Sequence, residues 1–191
     1  MPSRDQARRE AIAKAQIELR KQPVYLDTET TGLNPTDQIV EISFVDHDGS
    51  VLYESLVKPT MPIPLDATRV HGISAATVKD APAWPEIWPQ VEAILSTRRV
   101  AIYNADYDLR LLQQTQRAHQ LDWQIAVSNF CIMKLYAQFR GEWDSRRGSY
   151  RWHKLDEARY QCRLDLPNAH RARADALLAR AVLQYVAQAA T

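Results

Sequence analysis

The sequence predicts an α/β domain built on a mixed sheet with helices on its faces. Three observations carry that prediction. Two β-rich runs at 39–45 and 51–57 flank an Asp48-Gly49 turn, a strand-then-helix pattern follows at 100–116, and the chain beyond 135 has mainly helical spacing. A hairpin supplies antiparallel pairing and a strand–helix alternation supplies parallel pairing, so the sheet is mixed.

The elements follow in order. Residues 4–21 are charged and Ala-rich, with Ile12, Ala15 and Leu19 at helical spacing. This predicts an amphipathic helix laid against the domain from outside, an N-terminal extension over 1–22 ahead of a domain over 23–191. Asp5, Glu10 and Glu18 argue against a transit peptide. Val24-Tyr25-Leu26 is a short apolar strand expected to break at Asp27 and leave the core through Thr30-Thr31-Gly32. The hairpin comes next, closed by residues 46–50. Pro-rich stretches at 59–64 and 82–89 suggest rigid loops, with Trp84 and Trp88 as packing anchors. A fourth strand over 100–103 is capped by Asn104 and followed by a helix over 106–116. A fifth strand is expected at 130–132, then helices at 135–139, 155–161 and 171–188.

Composition bounds the rest. The 191 residues allow one domain with a full core and are not comfortably enough for two. With 46% hydrophobic and 25% charged residues, the chain has the balance of a folded globular protein rather than a disordered one. No run approaches the ~18 apolar residues of a membrane helix, and no secretory apolar core stands at the N-terminus. Cys131 and Cys162 form no Cys-x-x-Cys pair and are read as reduced residues of a cytoplasmic protein. The net charge of +1 neither suggests nor excludes a nucleic-acid partner, because phosphate contact depends on where charge sits.

The chemistry concentrates where elements end. Strand alternation puts Asp27 and Glu29 on one face, where two like charges repel unless a cation lies between them. Paired hard oxygen donors suit Mg²⁺ or Mn²⁺. In the helix after the fourth strand, Asp108 shares a face with Leu111 and Leu112, whereas Asp106 is a first-turn acid favoured by the helix dipole. His170 precedes a helix in which Asp175 aligns with the apolar Leu178, Ala179 and Val182. Four carboxylates and a nearby histidine make a two-metal phosphoryl hydrolase plausible. Solvated loop acids and a structural histidine stay open on this chemistry alone.

The motifs narrow the choice. Leu26-Asp27-Thr28-Glu29-Thr30-Thr31-Gly32-Leu33, Arg69-Val70-His71-Gly72-Ile73, Asn104-Ala105-Asp106-Tyr107-Asp108 and His170-Arg171-Ala172-Arg173-Ala174-Asp175 occur in that order. Together they resemble the DEDDh family of 3′→5′ exonucleases, from about Pro23 onward. That family includes the proofreading subunit of bacterial replicative polymerase, ribonuclease T and oligoribonuclease. The resemblance implies a ribonuclease H-like fold, a five-stranded mixed sheet flanked by helices. It implies two Mg²⁺ or Mn²⁺ ions on Asp27, Glu29, Asp108 and Asp175, with His170 as general base. It also implies release of 5′-mononucleotides from a free 3′ end, and it selects Asp108 over Asp106 independently. Thr30, Leu33 and His71 match positions around the terminal nucleotide, and Tyr107 is expected to be a packed aromatic. The chain departs from the family at Tyr103, at Tyr107 and at Phe130-Cys131-Ile132-Met133, none of which is a ligand position.

Between 140 and 154, Arg146, Arg147 and Arg151 interleave with Trp143, Tyr150 and Trp152. Charge for phosphates beside flat faces for bases suits a single strand, so Arg146 and Arg147 are candidate substrate contacts. The functional expectation is a free-standing trimming or repair exonuclease favouring DNA, with no membrane association. Its competitors are a polymerase proofreading subunit and an inactive nucleic-acid-binding module, and retention of all five catalytic motif residues opposes the last.

Overall fold

A computed structural model describes residues 3–190. Helix α1 (Arg4–Arg20) precedes strand β1 (Val24–Thr30), the hairpin of β2 (Ile39–Val45) and β3 (Val51–Leu56), and helices α2 (Leu65–His71) and α3 (Trp84–Thr97). Then come β4 (Val100–Ile102), α4 (Ala105–Ala118), β5 (Asn129–Cys131) and α5 (Ile132–Arg140). A small hairpin of β6 (Trp143–Asp144) and β7 (Ser149–Tyr150) leads to α6 (Leu155–Cys162) and α7 (Ala172–Gln188). The main sheet runs β3-β2-β1-β4-β5, antiparallel among the first three strands and parallel from β1 through β4 to β5. This is the ribonuclease H-like architecture.

Strand β1 divides the core. Tyr25 packs into one apolar cluster with residues of α1, α5 and α7, while Val24 and Leu26 pack into a second with residues of α3 and α4. Period-two alternation extends this division along the strand. Asp27 and Glu29 therefore belong to the α7 face, and Thr28 belongs to the α4 face.

Three expectations about elements need correction. Strand β1 does not break at Asp27; it pairs with β2 through Glu29, opposite Glu41, and shifts register between Glu29 and Thr30. The ladder uses backbone groups, so acidic side chains facing a cleft do not interrupt it. The stretch 82–89 is not a loop beyond Ala83, because α3 starts at Trp84. Pro85 lies in its first turn, where a missing N–H is tolerated, and the Glu86 carboxylate accepts a hydrogen bond from the Ala83 N–H. Trp84, Ile87, Val91 and Leu95 form its buried face. Helix α2 was not anticipated either; it closes on Gly72, whose left-handed φ of 74° suits glycine.

Helix α1 buries Ala7, Ala11 and Ala15 completely, the last two in the cluster it shares with α5 and α7. Small residues four apart let helices approach closely. Glu18 holds Arg99 through two bonds, at 3.0 and 3.2 Å, which ties α1 to the segment entering β4. Among the described residues no helix is long and apolar enough to cross a membrane.

Candidate active site

Three carboxylates converge above β1. Asp27 and Glu29 rise from the strand and Asp175 descends from α7, with one carboxylate oxygen from each lying within 4.8 Å of the others. Asp108 enters from α4 on the other side. It is 4% exposed, and the Thr28 hydroxyl donates to its Oδ1 at 2.8 Å. One strand residue thus orients an acid on one face while its two neighbours present acids to the other. All four line a cleft of about 820 Å³, which His170 also borders.

The electrostatics follow from burial. Asp27 is pushed well above the usual carboxylate range, first by desolvation and then by Asp108, Glu29 and Asp175. Burial raises Glu29 to about 8, with Asp175 and Glu41 adding to the effect. Asp108 is raised to about 7 by burial, partly offset by the Thr28 hydrogen bond. Asp175 rises to about 6, again mainly through burial. Among the described residues no cationic side chain bonds to Asp27 or Glu29. Four desolvated oxygen donors with no cation of their own are the donor set a hard divalent ion satisfies, so the residues present fit a divalent metal.

Asp175 is held in place by the loop before its helix. Its Oδ1 accepts from the Ala169 N–H at 3.2 Å. With its amide nitrogen turned inward, Asn168 donates to both carboxylate oxygens at 3.1 Å. Glu41 fixes the start of α7: its carboxylate accepts from the Ala172 N–H at 2.9 Å and pairs with the Arg171 guanidinium. Between these two anchors His170 projects with a left-handed φ of 47°, exposed, its ring free of hydrogen bonds among the described residues.

The structure brings together five candidates from the motifs, Asp27, Glu29, Asp108, His170 and Asp175. Asp106 stands apart, 68% exposed and paired with Lys134 at 2.6 Å. Thr30, Leu33 and His71 line an adjoining cavity of about 700 Å³ that also reaches Glu29 and His170. Leu33 is 76% exposed and lines both spaces. Tyr107 packs as an aromatic whose hydroxyl lies 2.9 Å from the Thr30 hydroxyl and donates to the Gly32 carbonyl at 3.1 Å. Arg146 and Arg147 line neither cavity; they sit on the exposed turn between β6 and β7. Sequence reasoning missed Glu41, Asn168, Lys154 and Arg159. The last three line the main cleft, and only the pairing of β1 with β2 reveals Glu41.

Comparison with known proteins agrees with this geometry. Residues 24–183 match the RNase T family model, described as exonuclease. The chain is 39% identical over 171 residues to the uncharacterized exonuclease CP81 of Escherichia phage 186, covering 86% of this chain and 88% of that protein. It is 36% identical over 95 residues to the DNA polymerase III subunit epsilon of Rickettsia felis, covering 47% of this chain and 42% of that one. Among solved structures it superposes on Exonuclease X in complex with 5′ overhanging duplex DNA, with a TM-score of 0.63 and 26% identity over 85% of this chain and 89% of that chain. The nuclease domain of 3′hExo, a DEDDh family member bound to rAMP, shares the fold with a TM-score of 0.64 and 17% identity over 84% and 89% of the two chains.

Proposed function

Because this chain belongs to the RNase T exonuclease family and is a DEDDh 3′→5′ exonuclease, we propose that it trims DNA from the 3′ end with two divalent ions, Mg²⁺ or Mn²⁺. The observation that carries the metal assignment is the convergence of Asp27, Glu29 and Asp175 within 4.8 Å, with Asp108 completing the cleft. These four side chains would hold the ions. Bound there, the ions would neutralise the scissile phosphate and acidify the attacking water.

The remaining steps belong to the chain's own groups. His170 presents a free ring at the cleft mouth, where it takes the proton of the attacking water. The water oxygen bonds to phosphorus and the bond from phosphorus to the 3′ oxygen breaks. That oxygen takes a proton from solvent and stays on the shortened strand as its new 3′ hydroxyl, and a 5′-mononucleotide leaves. Thr30 and Leu33 line the space beside Glu29 that receives the terminal nucleotide. Tyr107 locks Thr30 from behind through its hydroxyl.

The preference for DNA is supported by Exonuclease X, whose structure contains duplex DNA, and by the polymerase subunit relative. The phage 186 relative supports exonuclease activity, and a free-standing trimming or repair role is the setting we propose for it. The epsilon relative favours a second reading, a proofreading subunit; stable co-elution with a polymerase would distinguish it. Free Cys131 and Cys162 support a reducing, cytoplasmic setting.

The decisive test uses 3′-labelled and 5′-labelled strands of DNA and RNA, with Mg²⁺ or with EDTA. Mononucleotides should leave the 3′ end, faster from DNA, and EDTA should stop them. Internal cleavage, or activity surviving Asp27→Ala, would falsify the mechanism.

A further inference from the structure

Between α5 and α6 the chain leaves the body as the β6–β7 hairpin and returns through residues 151–154. Its root is firm. Gly141 ends α5 with a left-handed φ of 66°, and the Arg151 N–H donates to the Glu142 carbonyl at 2.7 Å. The Tyr103 hydroxyl donates to the His153 carbonyl at 3.1 Å. The His153 ring is 2% exposed and meets Tyr136 edge-on at 5.7 Å.

The outer part is bare. Trp143 and Trp152 are 42% and 51% exposed, whereas Trp84 is fully buried in the core. Tryptophan is enriched at interfaces, where a flat apolar face can meet a partner. The charge is uneven too. Residues 140–154 hold Arg140, Arg146, Arg147, Arg151 and Lys154 against only Glu142 and Asp144, in a chain of net charge +1.

Both acids are occupied in building the hairpin. Asp144 accepts from the backbone N–H groups of Arg146 and Arg147 at 2.9 and 3.3 Å. Glu142 lies 3.2 Å from Arg140 and 3.9 Å from Arg151. Arg146 has no ion pair among the described residues; Arg147 lies 3.6 Å from Asp144, yet its side chain is 73% exposed. The surface ends at Lys154, which lines both the main cleft and the adjoining cavity.

From these observations we propose that the β6–β7 hairpin and the returning segment 151–154 form a rooted arm that grips single-stranded nucleic acid on its way into the cleft. The proposal rests on the exonuclease reading and assigns substrate hold to a part of the chain outside the metal site. Exposed indole faces can stack only on bases that a partner leaves open, and a single strand does so whereas a duplex hides them. Clustered guanidinium groups match its phosphates.

The test compares the wild type with Trp143→Ala/Trp152→Ala and with Arg146→Gln/Arg147→Gln. Each acts on a trinucleotide and on a single strand several times longer, in Mg²⁺. The tryptophan variant should raise KM for the long strand about tenfold while kcat at saturation stays within about twofold. The arginine variant should flatten the salt dependence of KM by about one unit of slope. Intrinsic tryptophan fluorescence of the wild type, with EDTA present, should be quenched by the long strand and not by the trinucleotide. An unchanged KM in both variants overturns the arm, as does an equal loss on blunt duplex. If Trp143→Ala lowers the melting temperature through its contact with Tyr150, Trp152→Ala alone decides. Failure of the wild type to cleave either strand would sink the exonuclease reading instead, and the quenching experiment would still judge the arm.

Discussion

His71 and His170 border the same side cavity, yet the two rings are built for different work. His71 is 5% exposed; its Nε2 donates to the Thr30 carbonyl at 3.2 Å and its Nδ1 accepts from the Ile73 N–H at 3.0 Å. Both nitrogens are engaged, the tautomer is fixed, and burial lowers the pKa, so the ring stays neutral. His170 is exposed, with no hydrogen bond to its ring among the described residues. A proton acceptor needs a nitrogen that can meet the attacking water. One ring is therefore a bolt that holds the end of β1, and the other stands open at the mouth of the cleft.

The largest effect should separate them at once. His170→Ala should lower kcat by roughly 10²–10⁴-fold, with Mn²⁺ binding retained by calorimetry. Loss of metal binding would show that His170 serves the metal rather than the water. Glu41→Ala comes next, because it releases Arg171 and the start of α7 on one side of His170. It should cost about 1–3 kcal/mol in denaturant unfolding and lower kcat about tenfold, an order of magnitude for a general base set out of place. Glu41→Gln, which keeps the acceptor for Ala172, should recover part of both; equal damage from the two substitutions would locate the role in charge alone.

His71→Ala should act on stability more than on rate. A lost pair of buried hydrogen bonds is worth about 1–3 kcal/mol, visible in thermal unfolding, with kcat changing less than His170→Ala changes it. A rate loss equal to that of His170→Ala would erase the distinction between the rings.

The smallest effect concerns the acids around them. Glu29, Asp108 and Asp175 have folded-state values near 8, 7 and 6, above their ordinary ones. The folded metal-free protein therefore binds more protons than the unfolded chain, and its stability falls as pH rises. Its melting temperature should drop by several degrees between about pH 5 and pH 8, and Mn²⁺ added at pH 8 should restore it. A metal-free protein whose stability rises over that interval would contradict the burial of these acids.

Local pattern made the two ends of this contrast legible in different degrees. Asp27 and Glu29 could be placed together by strand alternation, and Asp108 could be chosen over Asp106 by helical spacing, because both arguments need only neighbours in the chain. The order of strands and the alternation with helices likewise followed from short windows. Glu41 could not be seen, since its importance arises from pairing opposite Glu29 across two strands and from Arg171 far along the chain. Asn168 and Lys154 reach the cleft through loop paths that no periodicity encodes. Helix α3 was hidden by Pro85 and Pro89: the first lies where a helix tolerates proline, and the second is outweighed by the burial of Trp84, Ile87, Val91 and Leu95. Only the motif resemblance set His71 apart from His170; spacing alone could not, because what distinguishes the rings physically is the set of atoms that folding places around each.

The distribution of the acids over the fold has a consequence for synthesis. Asp27 and Glu29 stand on the first strand, Asp108 on the fourth helix and Asp175 on the seventh. A chain emerging N-terminus first can assemble the sheet and most of its helices while the cluster is still incomplete. Only when α7 docks against β1 and β2 do Asp175 and His170 arrive together. A polypeptide that lacks α7 therefore lacks Asp175, and the four-acid cluster is complete only once that helix has packed into the core.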